Sequence, residues 1–508
     1  MFKDYNPYQD FLLPPSVNDF LPAGDLACVI VEIVNDFDIS PFYQRYQPLG
    51  PHAYHPKMML GLMFYAYSQG LFSSRKIEER AQYDLRFMYV AGYQHPDFHT
   101  ICNFRKDHLD LIAGYFKDIV MLCSRLGLVS WRTVAIDGTK LKANASSQRN
   151  KDRDALRKEI ADVEAEIARR LALAQATDDA ESAAEDASNR LDVKDLRDLH
   201  SKLEAARSRL DDQPEKTSVN LTDPDSRILP KVGSGYNAQI AVDTLSDVIV
   251  AAEVVDAAND VHQLLPMIDR VEAITEARGD KLTVLGDSGF ASAQAFTALE
   301  SRPNIRAFVP QREDVHRAGK EAPPFDKSRF QLDVDSGGGV CPLGQPMRVL
   351  RRGVNKSGQP NIQFVGTACA ECPRRAECTK AKQRSVVVLQ AEPALERMRE
   401  RMKTALGKAA MAIRRSTVEP VFGILKERLG FRQFSLRGWE KVKGEFLLLC
   451  CAYNLKKIAG KLGGKSISQA EMVLKAEIEA EMSLFFGSFL RIFATFGLFV
   501  LLVSLHRR

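Results

Sequence analysis

The order of apolar strands and helices in the middle of this 508-residue sequence constrains its fold more than any other feature. A β-branched strand comes first. After a long charged interruption, two strands, a helix, a strand, a helix and a last strand follow. The five predicted strands cover residues 133–136, 236–242, 248–255, 281–285 and 305–309. Three strands followed by alternating helices and strands predict a mixed sheet with helices on its faces, which is a mixed α/β fold.

Two of these strands run into an aspartate that is followed at once by small, turn-forming residues. Asp137 precedes Gly138, and Asp287 precedes a serine and a glycine. An aspartate in such a place is usually just a turn residue. Two of them on neighbouring strands, together with an acid from a helix packed across the sheet, would instead form a cluster of carboxylates. Glu419 is the predicted third acid.

Three converging carboxylates predict a metal site, because Mg²⁺ needs hard oxygen ligands and shares substrate phosphates. A pair of such ions about 3.5–4 Å apart activates a water or a 3′-hydroxyl and stabilises the leaving oxygen of a phosphodiester. The expected cofactor is Mg²⁺, with Mn²⁺ as a substitute. The predicted catalytic residues and metal ligands are Asp137, Asp287 and Glu419.

The stretch 412–457 carries Glu419 between two basic residues. Arg415, Glu419 and Lys426 stand four and seven residues apart, so a helix would place them within about 40° of one another. The alternative is a solvated amphipathic helix with ordinary surface salt bridges. Pro420 follows the acid, and proline is tolerated mainly in the first turn. The helix is therefore expected to begin near Glu419 or to be kinked there.

Basic residues and aromatic rings alternate in and after this helix, a composition that suits phosphate contacts and stacking on bases or sugars. The net charge of the whole chain is only +5, so DNA binding has to be inferred from such local clusters. The predicted DNA-binding residues are Arg415, Lys426, Arg432, Arg437 and Lys441. The predicted stacking rings are Phe431, Phe434 and Trp439.

Residues 1–128 are predicted to be a helical domain, with helices at 55–70, 75–82, 84–91 and 100–126. Short helices joined by tight turns fit a helix-turn-helix-like DNA-binding module. They fit a helical oligomerisation domain nearly as well. The basic residues expected on the surface of this domain are Arg75, Lys76, Arg80, Arg105 and Lys106.

Two insertions are expected within a catalytic domain at 129–460. The first, 148–215, contains two segments in which aliphatic residues recur at spacings of three and four, which predicts an antiparallel helical hairpin with a turn at 178–189. The second, 311–392, contains Cys341, Cys369, Cys372 and Cys378. These four match the ligand number of a structural Zn²⁺ site. The alternative is unligated thiols in an irregular loop. Cys450 and Cys451 are predicted to be core residues.

The chain ends in a tail, 461–508, in which 482–505 is almost entirely apolar. A stretch of this length would span a bilayer, but it equally fits a buried or oligomerising helix or a tail under no selection. The first fifteen residues lack the apolar region of a signal peptide, so a cytoplasmic location with reduced cysteines is expected.

Five segments together resemble a bacterial insertion-sequence transposase of the DDE type. They are PDFHTICNFR (96–105), AIDGTKLKANAS (135–146), GYNAQIAVD (235–243), VLGDSGF (284–290) and RSTVEPVFGILK (415–426). The resemblance implies an RNase H-like catalytic domain whose metal-binding triad is Asp137, Asp287 and Glu419. Arg415 and Lys426 match the basic positions of the family's Y-x2-R-x3-E-x6-K signature, whose tyrosine position is Ala412 here.

The resemblance also implies a function. Such an enzyme recognises the terminal inverted repeats of its own mobile element, cuts them, and joins the 3′-OH ends to target DNA. It implies DNA as the partner, a homo-oligomer in the DNA complex, and association with the nucleoid. Two alternatives stay open at this point: an RNase H-like nuclease that does not join ends, and an inactive DNA-binding relic.

Overall fold

The computed structural model describes residues 16–46, 53–178, 183–275, 281–311, 323–355 and 358–477. The chain divides into two units. The helical unit consists of Met1–Ser130, Glu427–Phe431 and Gly444–Arg508. The sheet unit consists of Trp131–Lys426 and Arg432–Lys443.

The helical unit is built from short helices around α3, of which the residues from Met59 to Ser68 are all buried. Asp25, Asp84 and Asp97 cap the N-termini of α1, α5 and α6 by accepting backbone N–H groups. Within residues 16–46 and 53–130, the α-helices are α1 (Leu26–Asn35), α2 (Ser40–Tyr43), α3 (Pro56–Ser68), α4 (Ser74–Tyr83), α5 (Leu85–Val90), α6 (Phe98–Asp107) and α7 (Leu109–Arg125). The helix predicted at 100–126 is therefore two helices, which meet at His108.

Arg105 is not on the surface of this unit, contrary to the expectation from sequence. It is only 4% exposed. Its guanidinium donates to the Tyr67 hydroxyl (3.1 Å) and to the Phe72 carbonyl (2.7 Å). The Tyr67 hydroxyl in turn donates to the buried carboxylate of Glu445 (3.2 Å). Arg105 therefore belongs to a buried polar network, whereas Arg75, Lys76, Arg80 and Lys106 are exposed.

The sheet unit contains the predicted mixed sheet, with strand order β6–β5–β1–β7–β8. Strand β5 is antiparallel to both β1 and β6, and β7 pairs in parallel with both β1 and β8. The short β4 pairs with the start of β5. The bounds are β1 (Thr133–Lys142), β4 (Arg227–Leu229), β5 (Gly233–Asp243), β6 (Val248–Val255), β7 (Leu282–Leu285) and β8 (Ile305–Phe308). This confirms the mixed α/β fold and agrees with the RNase H-like expectation.

The first insertion is a helical hairpin closed at its base by two short strands. Strand β2 (Asn150–Asp152) pairs with β3 (Ser218–Asn220), and the helices α8 (Arg153–Asp178) and α9 (Ala183–Asp212) lie between them. Predicted heptad positions pack between the helices as a separate apolar cluster that includes Leu156, Ile160, Val163, Leu203, Ala206 and Leu210. The helices extend into the predicted turn, and residues 179–182 lie outside the described part of the chain.

The second insertion is an ordered antiparallel sheet with strand order β13–β12–β11–β10–β9, not an irregular loop. A cluster of its own, which includes Phe330, Met347, Ile362 and Phe364, forms its core. The strands are β9 (Gln331–Leu332), β10 (Gly338–Val340), β11 (Pro346–Val354), β12 (Pro360–Gly366) and β13 (Ser385–Leu389). We refer to residues 323–389 as the cysteine module. Its helix α12 (Arg375–Cys378) is a single turn.

The helices that pack on the mixed sheet are α10 (Leu264–Thr275), α11 (Ala293–Glu300), α13 (Glu392–Lys403) and α14 (Ala405–Gly423). Further along the chain are α15 (Trp439–Leu462) and α16 (467–477). Helix α14 begins at Ala405, well before Glu419. The Thr404 hydroxyl caps its N-terminus by accepting a hydrogen bond from the Gly407 N–H (3.1 Å). Pro420 lies inside this helix, and Ile424–Arg428 continues it as a π-helical turn. The prediction that the helix could begin near Glu419 was wrong, and Arg415 lies within it.

Cys450 and Cys451 on α15 are fully buried, which confirms that they are core residues. Within the described residues, no helix combines the length and apolar character needed to cross a membrane. The apolar stretch 482–505 lies outside the described part of the chain.

Candidate catalytic site

The sheet brings Asp137 and Asp287 to the same level on neighbouring strands. The parallel register of β1 and β7 pairs Ala135 with Leu285, and each aspartate lies two residues further along its own strand direction. Strand β1 continues past Asp137 to Lys142, so this aspartate lies within the strand. The sequence had indicated that it lies at the strand's end, and that prediction was wrong. The pairing of β1 with β7 ends at Ala135, just before Asp137. Beside Asp137, therefore, the edge of β1 that faces β7 is no longer paired with it.

Asp260 is a third acid at this point, and sequence reasoning missed it. It lies between β6 and α10, and its Oδ1 accepts hydrogen bonds from Asn237 Nδ2 (2.8 Å) and Gln239 Nε2 (2.5 Å) on β5. An aspartate in a polar loop looks like any turn residue. Only the register of β5 against β1 reveals its neighbours, since Gln239 pairs with Gly138.

Two glycines make room for these acids. A Cβ atom at Gly138 would lie 2.6 Å from Asp260 Oδ1 and 2.3 Å from Gln239 Nε2. A Cβ atom at Gly289 would lie 2.9 Å from Asp287 Oδ1 and 3.5 Å from Asp260 Oδ2. The same glycines orient the aspartates, because the Gly138 N–H donates to Asp137 Oδ1 (2.9 Å) and the Gly289 N–H to Asp287 Oδ1 (2.8 Å).

The electrostatics of Asp137 reflect this crowding. Burial raises its pKa from an ordinary 3.8 to about 6, against the opposing charge of Arg414. The carboxylates of Asp287 and Asp260 raise the pKa further, and the hydrogen bond from Gly138 lowers it. Near neutral pH the site therefore holds several negative charges that a cation would stabilise.

Arg414, a residue that sequence reasoning did not single out, is the arginine that contacts the acids, whereas the prediction for its neighbour Arg415 was contact with DNA. Its Nη2 lies 2.9 Å from Asp137 Oδ2, and its Nη1 lies 3.7 Å from Glu419 Oε1. Arg414 is 7% exposed, whereas Arg415 is exposed to solvent. A sequence signal for this existed: the buried face of α14 includes Ala410, Arg414, Val418 and Val421, the spacing of an inward helix face.

Glu419 takes a different position from the two aspartates. Its side chain is 60% exposed, against 18% for Asp137, and Arg414 lies between the two carboxylates as a bridge. The helix thus presents Glu419 at the edge of the acid cluster, where solvent or a ligand reaches it.

Three of the predicted DNA-binding residues, Lys426, Arg432 and Arg437, lie along and beyond the far end of β1. Residues 432–434 run beside it, since the Lys142 N–H donates to the Arg432 carbonyl (3.1 Å) and the Phe434 N–H to the Lys142 carbonyl (2.9 Å). Lys426 Nζ donates to the Lys140 carbonyl (3.3 Å), and Arg437 Nε to the Asn144 carbonyl (2.8 Å). Arg415, Arg432, Arg437 and Lys441 are exposed, and Lys426 is half-buried.

Two of the predicted stacking rings are not available to a ligand. Phe431 and Phe434 are 1% and 2% exposed, and Phe434 packs edge-on against Tyr236 with ring centroids 5.6 Å apart. Trp439 is half-buried, with Lys443 Nζ 5.1 Å above its ring. Of the three predicted rings, therefore, only Trp439 keeps a partly accessible face.

Comparisons with known protein families agree with this architecture. A family model described as "Transposase DDE domain" matches residues 340–459, and one described as "Transposase domain (DUF772)" matches residues 15–107. These matches indicate an insertion-sequence transposase of the DDE type. The comparison with curated proteins found no match. The DDE match includes Glu419 and all four cysteines of the module, whereas Asp137 and Asp287 precede it.

The acid cluster fits the divalent metal that DDE domains typically use. All its donors are carboxylate oxygens, the ligands that Mg²⁺ prefers. Asp260 adds a further oxygen donor beside Asp287, and Gln239 Oε1 is buried without a hydrogen-bond partner. Asp137 and Asp287 would hold the ion, with Asp260 and Glu419 as further candidate ligands. A separate group, Glu164, His200 and Glu204 on the hairpin, has its ligand atoms within 4.8 Å of one another, but it contains none of these acids.

Proposed function

We propose that this transposase cuts DNA at the ends of its mobile element and joins the freed 3′-OH ends to target DNA. The observation that carries the proposal is the level placement of Asp137 and Asp287 at the open edge of β1, with Asp260 beside them. A divalent metal held there would activate the attacking oxygen and stabilise the leaving oxygen of the scissile phosphate.

The chain's own residues do the rest. Asp137 and Asp287 are held in position by the backbone N–H groups of Gly138 and Gly289, so the site is preorganised for a cation before DNA arrives. Arg414 offsets part of the negative charge of Asp137, which keeps the cluster folded without an ion. Glu419 completes the set from the exposed side, where the phosphate would enter.

DNA would lie across the basic surface beyond this edge. Arg415, Lys426, Arg432, Arg437 and Lys441 would contact backbone phosphates, which supply affinity without reading sequence. Arg75, Lys76 and Arg80 are exposed on α4 of the helical unit, and we assign recognition of the element's ends to this unit. Because an element has two ends, we expect at least two copies of the chain in the DNA complex. The enzyme would act on chromosomal DNA in the cytoplasm.

The test is an assay with labelled element-end DNA, target DNA and Mg²⁺ or Mn²⁺. Asp137→Asn, Asp287→Asn and Glu419→Gln should each lose at least about 100-fold in both cleavage and strand transfer, because each replaces a carboxylate ligand of the metal that would stabilise the transition state. Binding of end DNA should survive in all three. Glu400→Gln, an exposed acid on α13, serves as the matched control and should remain fully active.

The same assay separates the alternatives. Full strand transfer by any one of the three variants would remove that residue from the site. Cleavage by the wild-type chain with no joined product under any metal would favour the nuclease, and end binding with no cleavage would favour the relic.

A further inference from the structure

The four cysteines of the cysteine module lie at one end of its sheet, around one cavity. Cys341 opens the turn between β10 and β11, where its N–H donates to the Gln345 carbonyl (2.8 Å) and its carbonyl accepts from the Gly344 N–H (2.8 Å). Cys369 and Cys372 follow β12. Because Met347 on β11 pairs with Gly366 on β12, both turns lie at the same end of the sheet. Cys378 joins them from the end of α12.

These cysteines line a single cavity of about 30 Å³, together with Phe325, Phe330 and Arg384. A volume of this size holds one water or one ion. All four side chains are unbridged thiols of intermediate exposure. We propose that Cys341, Cys369, Cys372 and Cys378 bind one structural Zn²⁺ ion in this cavity.

The surroundings of the sulfurs suit thiolate ligands. The Arg384 N–H points at Cys369 Sγ (3.4 Å), the kind of contact that stabilises charge on a ligating sulfur. Gly366 allows the backbone to approach the same sulfur, because a Cβ atom there would lie 2.6 Å from it. A cation in the shared cavity would therefore lie beside sulfurs whose surroundings accommodate negative charge.

The small size of the cysteine module suggests that the ion would stabilise its fold. Its apolar cluster contains seven buried residues, and Cys341 and Cys378 pack against the edge of that cluster. Domains this small seldom bury enough apolar surface for independent stability, and a metal or disulfides commonly make up the difference. A four-thiolate site is closed to water, so this ion is structural and takes no part in phosphodiester chemistry.

The experiment is metal analysis of the full chain purified without chelators. We expect about one zinc per chain, with a Zn–S distance of about 2.3 Å from X-ray absorption. Cys372→Ser should lose the ion, and its module should become sensitive to proteases. Cys102→Ser, which removes a half-buried thiol of the helical unit, is the control and should keep one zinc.

If Cys372→Ser does not fold, a second experiment tests the same point. In it, a mercurial thiol reagent is added to the wild-type chain and the released zinc is measured. One ion should be released as four thiols react. Iron with visible absorption, a disulfide in the native protein, or no metal with four freely reactive thiols would each overturn the proposal. None of these results depends on the strand-transfer assay, so this proposal and the proposed function fail separately.

Discussion

Replacing Arg414 with glutamine should destabilise the sheet unit in a way that depends on pH. The guanidinium is 9% exposed as a side chain and Asp137 is 18% exposed, so this is a buried pair. Removing one partner of such a pair costs about 3–5 kcal/mol when the other remains charged. Asp137 can escape part of this cost by binding a proton, because its pKa is already raised to about 6.

The sign of the pH dependence follows from linkage. Without Arg414 the pKa of Asp137 in the folded chain rises further, so the folded state binds a proton that the unfolded state has released. The free energy of unfolding of the variant therefore falls as pH rises, and it stops falling once the pH is above the raised pKa of Asp137 in the folded variant. The difference between wild type and Arg414→Gln should grow by up to about 1.4 kcal/mol per pH unit above pH 6. We expect a loss of about 3 kcal/mol at pH 8 and about 1 kcal/mol or less at pH 6.

The assay is urea unfolding followed by tryptophan fluorescence without added metal. Both tryptophans of the chain, Trp131 and Trp439, lie in the sheet unit, so the signal reports on that unit. Arg415→Gln, one residue along the helix and exposed, is the matched control and should change stability by less than about 0.5 kcal/mol. Equal losses for the two variants, or a loss for Arg414→Gln that is the same at pH 6 and pH 8, would refute the reasoning.

Two further predictions concern the same face of the sheet unit. Asp260→Asn keeps an oxygen that accepts from Asn237 and Gln239 but removes a negative charge, so the pKa of Asp137 should fall. The acid limb of the pH profile of cleavage should then move to lower pH, and the variant should need more Mn²⁺ for activity. An unchanged pH profile and metal requirement would exclude Asp260 from the site. Arg432→Ala and Lys441→Ala should each reduce the slope of log affinity against log salt by about 0.9, and an unchanged slope, as expected for the exposed control Lys408→Ala, would mean that the residue does not contact phosphate.

The strands and their aspartates could be predicted because the signals are local. A β-branched run followed by an aspartate and a glycine marks β1, and a similar pattern marks β7. Pairing them required only the rule that three strands followed by alternating helices and strands form one mixed sheet. The hairpin was equally accessible, because its apolar spacing is repeated on both arms and its helices pack on each other.

The rest depended on how elements rotate and pair. Arg415 matches the family signature, yet α14 turns Arg414 toward the sheet, because it shares a helix face with Ala410, Val418 and Val421. Asp260 has no sequence pattern of its own and gains its role through the register of β5. Aromatic rings in a basic segment favoured stacking on DNA, but burial of a phenylalanine ring stabilises the folded chain, and Phe431 and Phe434 are in the core.

The two glycines beside the acids have a consequence for how inactive copies of this protein could arise. An added methyl group at Gly138 or Gly289 would meet the ends of acidic or amide side chains, which would have to move aside. If the chain has the function proposed above, a copy altered at either glycine would have displaced acids and an unchanged basic surface. Such a copy would bind the same DNA ends without cutting them, and it would compete with active copies for those ends.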